Sequence, residues 1–241
     1  MTNSWPADTY VLIPSYNSAN PLKCFVKELS EIVPKGNICV VDDGSNDGTY
    51  EFCVDSGVTC LRHEVNKGKG AALRTGFAYL IKSVKWIITM DADGQHSPAD
   101  LRLFLEEAQK YPTMGLCIGA RDMRTGVMPS ARILSNRLTS AILTLLTKQR
   151  IRDSQCGYRM YSRELVASIN IEYDRFQMES EVILKAAAKK FPVRFVPVQT
   201  LYLRGGTSHI SHIADTLRWA AAVLRIFISK SILTLTLILK Y

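Results

Sequence analysis

The chain has 241 residues, of which 47% are hydrophobic and 22% are charged, and its formal net charge is +8 at pH 7. These values exclude a disordered chain and a disulfide-stapled mini-protein, because a chain of this length and composition can bury its own core. The basic excess favours a phosphate-rich partner: a nucleotide, a nucleic acid or an anionic membrane surface.

The first 120 residues predict short strands alternating with helices. Continuous apolar runs predict strands at residues 9–14, 37–42, 58–63, 86–90 and 115–120, and helical spacing predicts helices at 22–33, 49–56, 69–83 and 98–110. This alternation predicts an α/β fold with a mostly parallel central sheet that helices cover on both faces.

The second half predicts helices at 131–147 and 176–190, a strand at 193–203 and a strongly apolar segment at 219–239. Helix 131–147 is amphipathic. Its apolar stripe comprises Ile133, Leu134, Leu138, Ala141, Ile142, Leu145 and Leu146, and its other side carries Arg132, Asn136, Arg137 and Ser140. Two uses of this stripe stay open, packing against the sheet and contact with a membrane.

Polar residues follow all five of the early strands. These stretches are residues 14–17 (PSYN), 42–45 (DDGS), 66–70 (NKGKG), 91–96 (DADGQH) and 121–122 (RD). Because parallel strands end at one edge of a sheet, the five stretches predict a ligand site at that edge.

Two carboxylates stand one residue apart after the fourth predicted strand, at Asp91 and Asp93. Both can reach one hard cation, and the amide oxygen of Gln95 can join them, so the pattern favours Mg²⁺ or Mn²⁺ bound together with substrate phosphates. A solvated loop is the alternative for an isolated Asp-x-Asp, but the other polar strand ends favour the metal.

Two further loops allow both a binding and a structural interpretation. In residues 41–49 (VDDGSNDGT), Asp43 can bind a ligand, while Asp47 or Thr49 can cap the next helix. In residues 66–72 (NKGKGAA), the glycines and lysines can bind an anion at a helix N-terminus, or they can allow tight packing of the helix on the sheet.

Three later segments give weaker evidence of a functional site, because each also has a structural interpretation. Residues 153–159 (DSQCGYR) can be a loop into an edge strand, residues 176–179 (FQME) a helix start, and residues 204–209 (RGGTSH) a surface turn.

Together these motifs, in this order, resemble family 2 glycosyltransferases of the GT-A fold. Within that family the chain is most similar to dolichol-phosphate mannose synthases and bacterial polyprenyl-phosphate glycosyltransferases. The resemblance runs from about residue 10 to about residue 212. It implies inverting transfer of a hexose from a nucleotide-sugar, of the GDP-mannose or UDP-glucose type, to a polyprenyl phosphate such as dolichyl or undecaprenyl phosphate.

The resemblance also implies roles for single residues. The nucleoside is assigned to Pro14, Tyr16, Val41 and Asp43, the diphosphate to Asp91, Ala92 and Asp93, and the Mg²⁺ or Mn²⁺ ion to Asp91, Asp93 and Gln95. The cationic groups on the leaving diphosphate are Arg121, Arg204 and Lys69, and the acceptor phosphate is assigned to Arg132 and Ser135. His209 stands where the family's glycine-rich loop usually has lysine, and Ser18 stands where the family usually has glutamate.

The acceptor decides which catalytic groups are needed besides Asp93. A phosphate acceptor is already ionised and needs positioning rather than a general base, whereas a sugar hydroxyl needs one. Asp153 and Glu179 are the candidate bases. Transfer to a saccharide hydroxyl is therefore the alternative function. Nucleotidyl transfer is less favoured because the chain lacks the glycine- and arginine-rich loop of nucleotidyltransferases. Nucleic-acid binding is less favoured because the chain lacks the aromatic motifs of RNA-binding proteins.

The C-terminal segment predicts association with a membrane. Residues 1–212 are expected to form the catalytic domain and residues 213–241 a helix at the membrane interface, since Arg225 and Lys230 interrupt the apolar run. Pairing of this segment with a membrane partner subunit also stays open. The polar first ten residues and six cysteines without metal-site spacing predict a cytoplasmic enzyme at the cytosolic face of the membrane.

Overall fold

The strands and helices alternate as the sequence predicts. A computed structural model describes residues 4–123 and 128–201, together with residues 221 and 223. The strands are β1 (Thr9–Ser15), β2 (Ile38–Asp42), β3 (Thr59–Arg62), β4 (Trp86–Thr89), β5 (Leu116–Arg121), β6 (Arg159–Ser162) and β7 (Val193–Val198). The α-helices are α1 (Ala19–Leu29), α2 (Thr49–Ser56), α3 (Lys69–Leu80), α4 (Leu101–Lys110), α5 (Ser130–Thr147), α6 (Arg163–Ser168) and α7 (Gln177–Ala188).

The described strands form one sheet in the order β3-β2-β1-β4-β6-β5-β7. Strand β6 runs antiparallel to its neighbours β4 and β5, and the other pairs are parallel. The carboxyl ends of β1 to β5 therefore share one edge of the sheet, which confirms the predicted α/β fold. Because β6 runs the opposite way, the residues that precede it arrive at this same edge.

The central strands are apolar because helices cover them on both faces. Every residue of β2 and β4 is buried. Helix α3 lies close to β1 at Gly76, where an added Cβ would stand 2.3 Å from Leu12 Cδ1. A side chain at position 76 would separate the helix from the strand.

Helix α1 begins at Ala19, three residues before the predicted start, because a distant side chain caps it. The Ala19 N–H donates to Asp47 Oδ2 at 2.9 Å, and the Thr49 N–H donates to Asp47 Oδ1 at 3.1 Å. Burial alone would raise the pKa of Asp47, but these hydrogen bonds lower it. Asp47 thus accepts from the first amide of both α1 and α2, although the N-cap positions themselves are Ser18 and Gly48.

Strand β6 corrects the prediction for the segment around residue 159. The sequence suggested at most an edge strand there, yet β6 lies inside the sheet, between β4 and β5. It is only four residues long and begins with a fully buried arginine, Arg159. Neither the length nor the charge gives the apolar run by which the other strands are recognised.

Helix α5 buries its polar side rather than its leucine stripe. Asn136 and Ser140 are 0% and 4% exposed, whereas Leu134, Leu138 and Leu145 are 70%, 59% and 78% exposed. The buried polar atoms find partners in the loop before β6: Asn136 Nδ2 donates to Asp153 at 2.7 Å. Of the two uses left open for the stripe, packing against the core holds only for part of it: Ile133 is buried and Leu146 packs against the core.

Most of the predicted C-terminal helix lies outside the described residues. Of residues 213–241 the structure describes only Ala221 and Val223, both helical, and Val223 belongs to the core. Within the described ranges no helix has both the length and the apolar character that crossing a membrane requires.

Candidate active site

The polar strand ends meet at the carboxyl edge of the sheet. The centre of the arrangement is Asp91, directly after β4, which faces Lys69 at the start of α3 and Glu179 near the start of α7. Lys69 Nζ lies 2.7 Å from Asp91 Oδ1 and 2.8 Å from Glu179 Oε1. Burial alone would lower the pKa of Lys69, but the two carboxylates raise it. Burial would likewise raise the pKa of Asp91, but Lys69 and His96 hold it down at about 2.

Gly157 leaves the space that this ion pair occupies. A Cβ at position 157 would lie 2.5 Å from Asp91 Oδ2 and 2.8 Å from Lys69 Nζ. The carbonyl of Gly157 accepts a hydrogen bond from Thr89 Oγ1 at 2.8 Å, which ties the residue to β4. A side chain at position 157 would therefore have to displace the ends of the Asp91 and Lys69 side chains.

Asp93 is the exposed carboxylate of the pair predicted to bind metal. Its Oδ1 accepts the backbone N–H of Gln95 at 3.0 Å, so the turn after β4 holds the side chain in place. His96 holds the backbone of Asp91, whose N–H donates to His96 Nδ1 at 3.2 Å, and His96 Nε2 lies 3.8 Å from Asp91 Oδ2. The carbonyl of Gln95 accepts from the Leu201 N–H at 2.9 Å, which joins this turn to the segment after β7.

Arg121, at the end of β5, is held by Asp153. Its Nε and Nη2 lie 2.8 Å and 3.0 Å from the two oxygens of that carboxylate. Asp153 is 0% exposed, and it also accepts from Asn136 Nδ2 and from the Gln155 N–H. Burial alone would raise the pKa of Asp153, but Arg121 and Asn136 lower it. The geometry therefore does not favour Asp153 as a general base, because no acceptor can reach it.

Glu179, the second candidate base, is also engaged. It is 8% exposed, and its Oε1 accepts from Lys69. The buried Arg159 fixes the backbone around it: Nη1 donates to the Glu179 carbonyl at 2.7 Å, while Nη2 and Nε donate to the carbonyls of Ser154 and Cys156. Arg159 thus joins the loop before β6 to helix α7.

The carboxylate of Asp43, which directly follows β2, is surrounded by hydrogen-bonding groups of the protein. Its Oδ1 is 2.6 Å from His63 Nδ1 and accepts from the Lys67 N–H, and its Oδ2 accepts from the Gly68 N–H at 2.7 Å. His63 Nε2 is in turn 2.9 Å from Thr75 Oγ1 on α3. The carboxylate therefore shapes the loop between β3 and α3 at the predicted nucleoside site.

The N-terminus of α3 favours the packing interpretation of the glycine-rich segment. The N–H groups of Gly70 and Ala71 donate to the Asp174 carbonyl at 2.7 Å and 3.2 Å. A Cβ on Gly70 would stand 2.3 Å from the Tyr173 carbonyl oxygen. These amides, with that of Gly68, are used within the protein, so the cation that faces the site from this segment is the Lys69 side chain.

The remaining residues predicted to bind the donor or the acceptor differ in how exposed they are. Tyr16 is 48% exposed beyond the end of β1, and Pro14 is half-buried. Ala92 is buried beside Asp91, and Val41 is 0% exposed, so the Val41 side chain cannot contact a nucleoside. On α5, Arg132 is half-buried and Ser135 Oγ accepts from Gln155 Nε2 at 3.1 Å. Arg204 and His209 lie outside the described residues.

The oxygen ligands at the end of β4 fit a hard divalent cation. Asp91 and Asp93 supply carboxylates and Gln95 an amide oxygen, the ligand types that Mg²⁺ and Mn²⁺ take. Within residues 4–123 and 128–201, no group of three or more His, Cys, Asp or Glu side chains is arranged to hold a metal. The chain thus offers a partial ligand set, which substrate phosphate oxygens can complete.

Sequence reasoning missed the residues that hold the predicted ones in place. They are His63, His96, Asn136, Gln155, Gly157 and Arg159. Four of them lie within motifs already recognised, His96 in DADGQH and Gln155, Gly157 and Arg159 in DSQCGYR, so their positions were a usable signal. Asn136 gave none, because a polar residue on an amphipathic helix is ordinarily expected to face solvent.

Comparisons with known proteins agree with this architecture. One relative is a UDP-N-acetylglucosamine–dolichyl-phosphate N-acetylglucosaminyltransferase of Methanococcus voltae, 29% identical over 80% of this chain and 85% of its own. Another is the polyprenol monophosphomannose synthase of Mycolicibacterium smegmatis, 29% identical over 84% of this chain and 81% of its own. The crystal structure of glucosyl-3-phosphoglycerate synthase from Mycobacterium tuberculosis with Mn²⁺, UDP and phosphoglyceric acid superposes with a TM-score of 0.65, at 18% identity, over 91% of this chain and 78% of that one. The sequence profile described as glycosyl transferase family 2 matches residues 10–169, and the chain belongs to that family of glycosyltransferases.

Proposed function

We propose that this glycosyltransferase moves a hexose from a nucleotide-sugar to a polyprenyl phosphate, with inversion at the anomeric carbon, at the cytosolic face of a membrane. The donor is of the GDP-mannose or UDP-glucose type. Two relatives support the acceptor class, since their names specify a dolichyl phosphate and a polyprenol phosphate.

We favour a phosphate acceptor because both candidate general bases are held in ion pairs with cationic side chains. Asp153 is completely buried against Arg121, and Glu179 is bound to Lys69. A sugar hydroxyl must lose a proton as it attacks, whereas a phosphate oxygen is already anionic at neutral pH. A site that holds its buried carboxylates in ion pairs suits the phosphate acceptor, which needs only to be positioned.

The donor would lie along the carboxyl edge of the sheet. Tyr16 and the loop shaped by Asp43 would receive the nucleoside, and Asp93 with Gln95 would hold a Mg²⁺ or Mn²⁺ ion with the diphosphate, with Asp91 beside them. The metal supplies electrostatic stabilisation of the departing diphosphate when it is bound. Arg121 is oriented for the same purpose because Asp153 holds its guanidinium on two sides.

The exposed side of α5 supports a membrane-bound acceptor. Leu134, Leu138 and Leu145 project from the described surface at 59–78% exposure, while the polar side of the helix is buried at the active site. Arg132 and Ser135, the proposed ligands of the acceptor phosphate, lie on the same helix. An apolar surface beside the phosphate site would let the polyprenyl chain stay in the bilayer while its headgroup reaches the donor.

A nucleotide-release assay on membrane-reconstituted protein tests the proposal. GDP-mannose, UDP-glucose and other donors are screened with Mg²⁺ or Mn²⁺, with and without polyprenyl phosphate. Release of nucleoside diphosphate from one donor only when lipid is present supports the proposal, and Asp93→Ala should abolish it. Release that depends on an oligosaccharide instead would assign a saccharide acceptor, and release of pyrophosphate would identify nucleotidyl transfer.

A further inference from the structure

Lys69 is a positive charge fixed beside the proposed metal ligands. Its side chain is 18% exposed and lies between Asp91 and Glu179, with both contacts under 3 Å. The ring of Phe176 covers it on another side, 5.8 Å from Nζ to the ring centroid. Gly157 packs against the pair so closely that a methyl group would not fit. The ammonium is therefore held in one place rather than free to leave the site.

The ammonium changes the charge that an incoming metal ion meets. Lys69 and its two carboxylate partners, Asp91 and Glu179, form a cluster of three charged side chains whose net charge is −1. Without Lys69 the net charge would be −2, and the Asp91 oxygen that it occupies would be open to a metal.

We propose that Lys69 is a positioning residue that makes binding of the divalent metal conditional on the donor's diphosphate. This inference rests on the proposed function. A divalent ion alone would meet a cluster of charge −1 whose first carboxylate is already paired with an ammonium. The same ion accompanied by a diphosphate brings its own oxygen ligands and compensating negative charge. Metal and donor therefore enter together, and Lys69 holds Asp91 in place until they do.

A purely structural role for Lys69 predicts the opposite effect on metal affinity. Lys69 also joins helices α3 and α7 through Glu179. If this were its whole contribution, its removal would loosen the site, and metal would bind more weakly. If the charge of Lys69 instead repels free metal, its removal leaves Asp91 Oδ1 and Glu179 Oε1 without their ammonium partner, and free metal binds more tightly.

The experiment is a Mn²⁺ titration of the full chain followed by electron paramagnetic resonance, with and without GDP or UDP. We compare the wild type with Lys69→Met and Lys69→Arg. Lys67→Met is the matched control, because it removes one positive charge from an exposed lysine two residues away. Thermal unfolding of each variant shows that the fold is retained.

The wild type should bind Mn²⁺ weakly alone and at least about tenfold more tightly with the nucleoside diphosphate. Lys69→Met should raise the affinity for Mn²⁺ alone by about tenfold or more and should reduce the gain from nucleotide. Lys69→Arg and Lys67→Met should behave like the wild type. Unchanged or weaker binding of Mn²⁺ alone by a folded Lys69→Met protein overturns the inference. A wild type whose Mn²⁺ affinity does not respond to any nucleoside diphosphate overturns the inference and counts against the proposed function as well.

Discussion

Arg121 and Asp153 form a two-point ion pair across the candidate active site, with Nε 2.8 Å from Oδ2 and Nη2 3.0 Å from Oδ1. Asp153 has no exposed surface, and Asn136 of α5 donates to the same carboxylate. The pair sets the direction in which the guanidinium faces the end of β4. It also links that cation to the helix that carries the proposed acceptor-phosphate residues.

Replacing Asp153 with asparagine should destabilise the protein and change its response to acid. Removing one partner of a buried ion pair leaves the other charge uncompensated, so the free energy of unfolding at pH 7 should fall by about 3 kcal/mol. Urea denaturation measures this loss. Asp55→Asn is the matched control, because Asp55 is exposed on α2, and it should change the free energy by less than about 0.5 kcal/mol.

The acid response follows from the sign of the pKa shift. Burial would raise the pKa of Asp153, but its bonds with Arg121 and Asn136 lower it below the ordinary value of 3.8. The unfolded chain therefore binds the proton more readily, and the stabilisation is complete above about pH 4 and lost as pH falls through the lower, folded-state pKa. The wild type and Asp153→Asn should converge in stability below about pH 4. An equal difference at pH 7 and pH 3 would contradict this account.

Gly157→Ala should disrupt the Asp91–Lys69 pair, because the new methyl group would overlap both side chains. Because the atoms in the way are the ends of flexible side chains, the loss of stability should be about 1 kcal/mol or less, whereas displacement of Asp91 should lower kcat at least about tenfold. Gly36→Ala is the control, since a Cβ there meets no atom within 4 Å. Urea denaturation and donor turnover measure the two effects. Wild-type turnover by Gly157→Ala would show that the ion pair does not need this space.

Asp43→Asn should loosen the loop between β3 and α3. An asparagine offers one acceptor oxygen where the carboxylate uses two for His63, the Lys67 N–H and the Gly68 N–H. We expect a loss of about 1–3 kcal/mol in stability, faster hydrogen exchange at the Lys67 and Gly68 amides, and a higher KM for the donor. Hydrogen exchange that is unchanged at these two amides would refute the assigned role.

Charges on the exposed side of α5 should weaken membrane association without unfolding the protein. The double variant Leu134→Glu and Leu138→Glu places two carboxylates at positions that are 70% and 59% exposed, so stability should change by less than about 1 kcal/mol. Binding to vesicles of anionic phospholipid should fall at least about tenfold, because apolar contact is lost and repulsion is added. Val54→Glu is the matched control on α2, where the valine is 55% exposed. Equal vesicle binding by the double variant and the control would exclude α5 as the contact surface.

Much of the fold follows from the sequence alone. The apolar runs of β1 to β5 and the polar stretches after them predict a mostly parallel sheet whose polar strand ends share one edge, and the topology confirms this arrangement. This succeeds because strand burial and chain direction are local properties: a continuous apolar run marks a strand covered on both faces, and parallel strands end at one edge.

The tertiary structure alone decided which groups pair and which side of α5 faces inward. Lys69 and Glu179 are 110 residues apart, and Arg121 and Asp153 are 32 apart. No local pattern marks such partners, since each depends on how separate elements pack. Amphipathic periodicity likewise shows that α5 has two sides, but not which one is buried. The buried hydrogen-bond partners in the loop before β6 selected the polar side, because a buried polar atom must be paired wherever its partner lies in the sequence.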